Sequence, residues 1–289
     1  MTEATTRTLE VEGAVLTYDV RSNDTSPEPT LVLIASPMAA SGFVTLASHF
    51  ADRTVVTYDP RGIERSTRTD GRIESDPVQR SEDVHRIIEA VGVGPVDLFG
   101  SSGGAIDGLA LVARHPQDVR VLVAHEPPAI PLLPDRAVAE AANRDIHETY
   151  LRKGFGAGFA KFLALISHRG ELPEDWVDRP DPDPAAFGLP TEDDGSRNDP
   201  LLAQSIMGTT SFEPDVDALR RAPTRIVVGV GEESAGELAH RGGEAVAARL
   251  GLTPLVFAGG HGGFQGDEYG HPGKPDEFAA KLREVLETA

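Results

Sequence analysis

The stretch FGSSGGA, residues 99–105, sets two adjacent serines among glycines straight after the apolar run PVDLF (95–99). A helical pattern begins at once behind it, with Ile106, Leu109, Ala110 and Ala113 on one face. A chain that passes from strand to helix without a loop must turn on one residue, whose backbone is forced out of the ordinary regions. Residues two before and two after that hinge crowd it and must be small. For Ser101 those positions hold Phe99 and Gly103, and a phenylalanine does not fit. For Ser102 they hold Gly100 and Gly104. Ser102 alone satisfies G-x-S-x-G, which makes it the candidate nucleophile; the plain alternative is a Gly/Ser turn without chemistry.

Working outward, LVLIA (31–35), TVVTY (54–58), VRVLVA (119–124), TRIVVGV (224–230) and TPLVFAG (253–259) repeat the character of PVDLF. Such continuous apolar runs belong to strands buried on both faces of a parallel sheet. Helical patterns lie between them: Phe43, Leu46, Ala47 and Phe50; Val84, Ile87, Ile88 and Val91; Phe278, Leu282, Val285 and Leu286 behind Pro275-Asp276. A hairpin over 9–11 and 15–20 precedes them. The alternation predicts an α/β fold with a doubly wound, mostly parallel sheet. From 127 to 223 the rhythm breaks. Helical segments near 135–151, 155–167 and 200–212 enclose a loop rich in Pro and Asp. This reads as a helical cap, 127–223, inserted into a core made of 1–126 and 224–289.

The 289 residues include 27 basic and 46 acidic ones, a formal charge of −19. Such a surface repels nucleic-acid phosphates and anionic membranes, so neither is an expected partner. No apolar stretch reaches bilayer-spanning length, and the polar start MTEATTRTLE lacks a secretory h-region. The absence of cysteine rules out disulfides and thiolate metal sites and fits a cytoplasmic protein. Arg61, Arg65 and Arg68 cluster within a loop. Gly229-x-Gly231 lacks the third glycine of a dinucleotide fingerprint, His147-Glu148 lacks a zincin's second histidine, and aspartates over 175–199 match no calcium loop. The expected partner is a small-molecule substrate, with no metal or cofactor, and a homodimer is left open.

A serine needs a base to become a nucleophile. Among nine histidines, His261 in GGHGGF (259–264) directly follows the last strand, where glycines let an imidazole lie close over the sheet edge. His49, His85, His115, His125, His147, His168, His240 and His271 are read as non-catalytic. The acid is ambiguous. Glu232 and Glu233 both stand in GEESAGE (231–237) behind a strand, and adjacent residues point apart, so one can serve. Glu233 is preferred because Ser234 follows at the turn. Glu126, in AHEPP, is a third candidate, with pocket lining or a hinge bond as its rival role. Oxyanion donors are expected from the backbone N–H of Gly103 and from SPMAASG (36–42), where Pro37 has none, leaving Ser36 or Met38.

Taken together, these residues resemble the α/β-hydrolase fold family over essentially the whole chain. The order Ser102, Glu232/Glu233, His261, the GSSGG elbow, and YDPRGIERST (58–67), close to the family's D-x-R-G-x-G-x-S loop, carry the resemblance. It implies an eight-stranded sheet, a cap over the site, and ester, amide or thioester hydrolysis without metal or organic cofactor. It further implies that Ser36, before Pro37, supplies an oxyanion N–H. Three departures stand out: Ile34-Ala35 replaces the usual His-Gly pair, Glu64 replaces a loop glycine, and Ser234 stands where an aspartate often sits.

The expected pocket residues are Met38 from below and Phe159, Phe162, Trp176, Met207 and Phe212 from the cap, suiting an apolar or aromatic ester or lactone. No basic cluster in the cap argues for a phosphorylated substrate. The rival readings are a binding or signalling module that keeps the scaffold without turnover, and cofactor-free haloperoxidase or perhydrolase chemistry on the same residues.

Overall fold

The structure is a computed structural model describing residues 3–270 and 272–288; His271 lies outside them. An antiparallel hairpin opens the chain, β1 (Thr5–Val11) and β2 (Ala14–Arg21), with Val11 opposite Ala14. Gly13 makes the turn at φ 74°, a conformation that suits glycine. The apolar runs then become β3 (Leu31–Ser36), β4 (Val55–Asp59), β6 (Val96–Ser102), β7 (Val119–His125), β8 (Arg225–Gly231) and β9 (Leu255–Phe257), with a two-residue β5 (Thr67–Arg68) paired to β2. The sheet order is β1-β2-β4-β3-β6-β7-β8-β9, and every pairing from β4 to β9 is parallel.

Strand periodicity of two distributes the central side chains to both faces. Leu31, Leu33 and Ala35 of β3 pack with Phe43, Phe50, Phe278 and Leu282, whereas Val32 and Ile34 pack with Val84, Ile87 and Leu109 on the other side. The helices responsible are α1 (Val44–Ser48), α2 (Pro77–Val91), α3 (Gly103–Arg114), α8 (Leu238–Leu250) and α9 (Pro275–Glu287). Helix α2 starts where the Asp76 carboxylate accepts the Gln79 N–H at 2.9 Å and stops at Gly92, φ 72°. Each fully buried Leu or Phe contributes about 2 kcal/mol of transfer free energy, which is what holds these helices to the sheet.

Between β7 and β8 come α4 (Arg136–Lys153), α5 (Phe155–Ile166), a π-helical turn (Pro200–Ser205) leading into α6 (Ile206–Thr210), and α7 (Val216–Arg221). Ile146, Tyr150, Leu165, Leu202 and Ile206 form a cluster of their own, joined by Leu238 of α8. The intervening loop forms only short 3-10 turns, as its prolines dictate. A buried arginine ties this segment down: Arg80 of α2 donates to Asp107 of α3 at 2.8 Å and to Thr209 of α6 at 2.9 Å. Helix α8 packs closely against the chain after β7 through its glycines. A Cβ on Gly242 would lie 2.3 Å from the Pro127 carbonyl oxygen, so close backbone approach adds to the buried Leu238, Val246 and Ala247 there. Among the described residues no helix is long and apolar enough to cross a membrane.

Candidate active site

Strand β6 runs into α3 without an intervening residue, and the hinge is Ser102, at φ 54° and ψ −122°. Its glycine neighbours are required by space. A Cβ on Gly100 would meet the Gly104 carbonyl oxygen at 2.4 Å, one on Gly104 the Ile34 oxygen at 2.4 Å, and one on Gly103 the Ser36 oxygen at 2.3 Å. A non-glycine residue held in such a region costs about 1–3 kcal/mol, tolerated only where the surroundings over-determine it. Phe99 is buried in the aromatic core, and Ser101 turns inward, its hydroxyl 3.2 Å from His125 Nδ1.

His261 sits in the glycine turn after β9, where Gly259 takes φ 80°. Its Nδ1–H donates to Glu126 Oε2 at 2.6 Å, which leaves Nε2 as the acceptor nitrogen. Glu126 follows β7 directly, at φ 49°, and is wholly buried. Its other oxygen accepts the Gly231 N–H at 2.8 Å and the Ser234 hydroxyl, with His240 Nδ1 3.6 Å away. Burial alone would raise the Glu126 pKa. The hydrogen bond and charge of His261, helped by His125 and the Ser234 hydroxyl, overcome it and hold the carboxyl well below its ordinary range.

The expectation of Glu233 as the acid is therefore corrected. Glu233 is exposed and pairs with Lys274 Nζ at 2.7 Å, and exposed Glu232 lies 4.0 Å from the same amine. The turn after β8 sends Ser234 inward instead, so its hydroxyl meets the carboxylate arriving from β7. The alternative, Glu126, makes the contact. Ser234, the Gly231 amide and His240 were missed; their only sequence signal was Ser234 standing where an acid is common.

Ser102 and His261 line one cavity of 260 Å³, together with Ser36, Pro37 and Gly103. Among the described residues no hydrogen bond joins Ser102 Oγ to His261, and such bonds often tighten only when a substrate is bound. The upper wall is Phe162, Leu165, Ile166, Leu201, Ile206 and Leu238, and no Lys or Arg of the described residues lines it. Of the six expected pocket residues only Phe162 is there. Met38 faces the aromatic core, its sulfur accepting from Gln265 Nε2 at 3.1 Å, so its side chain is not in the wall. Phe159 stacks on Phe155 and lies tilted against Phe162, Trp176 packs edge-on to His168 near the surface, Met207 packs among the helices between β7 and β8, and Phe212 packs on the main core. Helical spacing marks an apolar face without saying which side the cavity takes.

The D-x-R-G loop supports the floor. Asp59 accepts the Ala40 N–H at 3.0 Å and binds Arg65 at 2.6 Å, anchoring the segment after Ser36. Glu64, where a glycine is usual, does adopt φ 44°, and its carboxylate accepts from Ser41 at 3.1 Å. A larger hollow of 920 Å³ lies between the hairpin and α2, walled largely by charged side chains and remote from Ser102 and His261. His85, His115 and Asp118 bring metal-type ligand atoms within 4.8 Å of one another. The two imidazoles, however, stack face to face, 7° from parallel and 3.8 Å apart, so their planes do not meet within metal-ligand distance of both rings, and each ring already bonds a carboxylate, Asp118 or Glu82.

A parallel α/β sheet bearing a serine on a strand–helix hinge, with a carboxylate-bound histidine beside the same cavity, defines a class of proteins built around a nucleophile elbow. The sequence model of the alpha/beta hydrolase fold matches residues 31–199, and the chain belongs to that family. It is 29% identical over 287 residues to the uncharacterized hydrolase YraK of Bacillus subtilis (strain 168), covering 97% of this chain and 95% of that one. Among solved structures it is similar to a thermophilic esterase from Thermogutta terrifontis, with TM-score 0.66, 18% identity, and 99% and 98% of the two chains covered. It is likewise similar to the enol-lactonase from Burkholderia xenovorans LB400, with TM-score 0.64, 16% identity, and 98% and 100% covered.

Proposed function

We propose that the protein is a serine hydrolase that cleaves a neutral, small to mid-sized apolar ester, lactone or related acyl compound through an acyl-enzyme. The observation that carries this reading is the His261–Glu126 bond at 2.6 Å beside a cavity that Ser102 also lines. Ser102 Oγ attacks the acyl carbon while His261 Nε2 takes its proton; Glu126 stabilises the resulting imidazolium. The N–H groups of Gly103 and Ser36 are the oxyanion donors of this reading, and each removed donor of this kind costs about 3 kcal/mol. His261 returns the proton to the leaving alcohol, and the same base then activates a water that releases the acid and frees Ser102. Every step uses side chains, backbone and water.

The cavity wall argues for the substrate class. Its largely aliphatic and aromatic surface favours an apolar acyl or alcohol group, and with no Lys or Arg in the lining, and Glu237 in it, an anionic substrate finds no lysine or arginine countercharge there. The test is a panel of p-nitrophenyl esters and lactones with wild type and Ser102→Ala, alongside fluorophosphonate labelling. We expect labelling at Ser102 and a fall in kcat of at least about 10³-fold in the variant. Equal rates in both proteins would overturn the mechanism, and a folded protein that hydrolyses nothing and takes no label would favour a binding scaffold.

A further inference from the structure

Ser101 and His125 take no part in the chemistry above, yet they are bonded to each other underneath it. They are register partners at the ends of β6 and β7, and the Ser101 hydroxyl lies 3.2 Å from His125 Nδ1. Both are buried, with exposures of 2% and 0%. The residue after each is forced into left-handed backbone: Ser102 at φ 54° and Glu126 at φ 49°. Among the described non-glycine residues only Glu64 shares that property. Strain of this kind, about 1–3 kcal/mol at each position, relaxes unless the flanking chain is fixed.

The His125 ring is fixed. Phe278 and Phe257 stand edge-on to it at 5.2 and 5.9 Å, Phe99 lies at 6.0 Å, and the His261 ring lies 6.3 Å away. Burial in this apolar box pushes the His125 pKa down to about 4, so near neutral pH the ring is uncharged and does not compete with His261 for Glu126. Its Nε2 has no partner among the described residues. A buried polar atom left unpaired costs about 1–3 kcal/mol, a cost that a phenylalanine in the same box would avoid. What the imidazole supplies and a phenyl ring cannot is the bond to Ser101.

We propose that Ser101 and His125 act as a clamp that sets the spacing of Ser102 and Glu126. They are positioning residues that touch neither substrate nor reacting atoms. The idea rests on the reading of Ser102, His261 and Glu126 as the catalytic group. It also accounts for the paired serines: one faces the cavity, and the other locks the strand end that presents it.

The test uses Ser101→Ala, which deletes a single buried oxygen, His125→Phe, and the double variant, with a p-nitrophenyl ester and a thermal melt. Each single variant should lose about 10- to 100-fold in kcat while KM stays within about twofold. The double variant should be no worse than the poorer single, because both break one bond. Losses that multiply, a kcat within about twofold of wild type in both singles, or a change confined to KM would overturn the clamp. A second readout needs no substrate: the far-downfield proton resonance of the His261–Glu126 hydrogen bond should shift or broaden in both singles. An unchanged resonance would sink the clamp. Full activity in Ser102→Ala would sink the hydrolase reading instead, leaving the resonance to decide the clamp by itself.

Discussion

Glu126 and Glu233 carry the same carboxylate in opposite surroundings. One is wholly buried with three hydrogen-bond donors, and the other reaches an exposed lysine. Removing the first takes away the group that holds the imidazolium in the proposed mechanism, and leaves Ser234 and the Gly231 amide without their acceptor. Glu126→Ala should therefore lower kcat by about 10³- to 10⁴-fold. Glu233→Ala loses an exposed, solvent-screened ion pair and should leave kcat within about twofold. Steady-state kinetics on one ester reads both, and comparable losses would refute the assignment of Glu126. The difference could not be read from the chain. Ser102 was legible because its rule spans five consecutive residues, and His261 because a glycine turn follows a strand. The acid's contact with His261 joins residues 135 apart, and three glutamates each stood behind an apolar strand.

Among the elements, the strands were the most legible part, since burial on both faces writes itself as an unbroken apolar run. The cavity wall was not, because helical spacing marks an apolar face and not which side of it the cavity takes. The turns after β7 and β8 together raise a sharper question: which strand must deliver the carboxylate. Ser234 Oγ already touches Glu126 Oε1, so an aspartate at 234 would bring a carboxylate into the same neighbourhood from β8. Glu126→Ala/Ser234→Asp should recover at least about tenfold of the kcat lost in Glu126→Ala, because a re-supplied charge within hydrogen-bond reach restores part of the imidazolium stabilisation. No recovery in a folded double variant would mean that His261 responds only to a carboxylate from β7. The elbow allows less latitude. With its added Cβ 2.4 Å from the Ile34 oxygen, Gly104→Ala must push β3 and α3 apart and should cost about 3 kcal/mol or more, read as a lower urea midpoint.

Over the whole molecule two pH effects oppose each other. A formal charge of −19 repels itself, and acidification relieves that repulsion by protonating surface carboxylates. The buried site responds with the other sign. His125 is held near pKa 4 when folded and returns to about 6.5 when unfolded, so acid favours the unfolded chain. Its contribution is complete above pH 6.5 and is lost as pH falls through 4. That amounts to about 3 kcal/mol over the window. Glu126 adds to the loss below its ordinary pKa of 4.5, since its carboxyl is depressed in the fold. A wild-type stability curve blends these terms with the surface charge. The difference between wild type and His125→Phe does not, because the substitution leaves the surface untouched. Unfolding free energies from urea titration at pH 7 and pH 4 should therefore converge on, or cross over to, the variant's side, with His125→Phe gaining about 3 kcal/mol relative to wild type on acidification. A constant difference between the two proteins across that range would show that the ring takes up its proton inside the fold, and that the aromatic box around it opens to water.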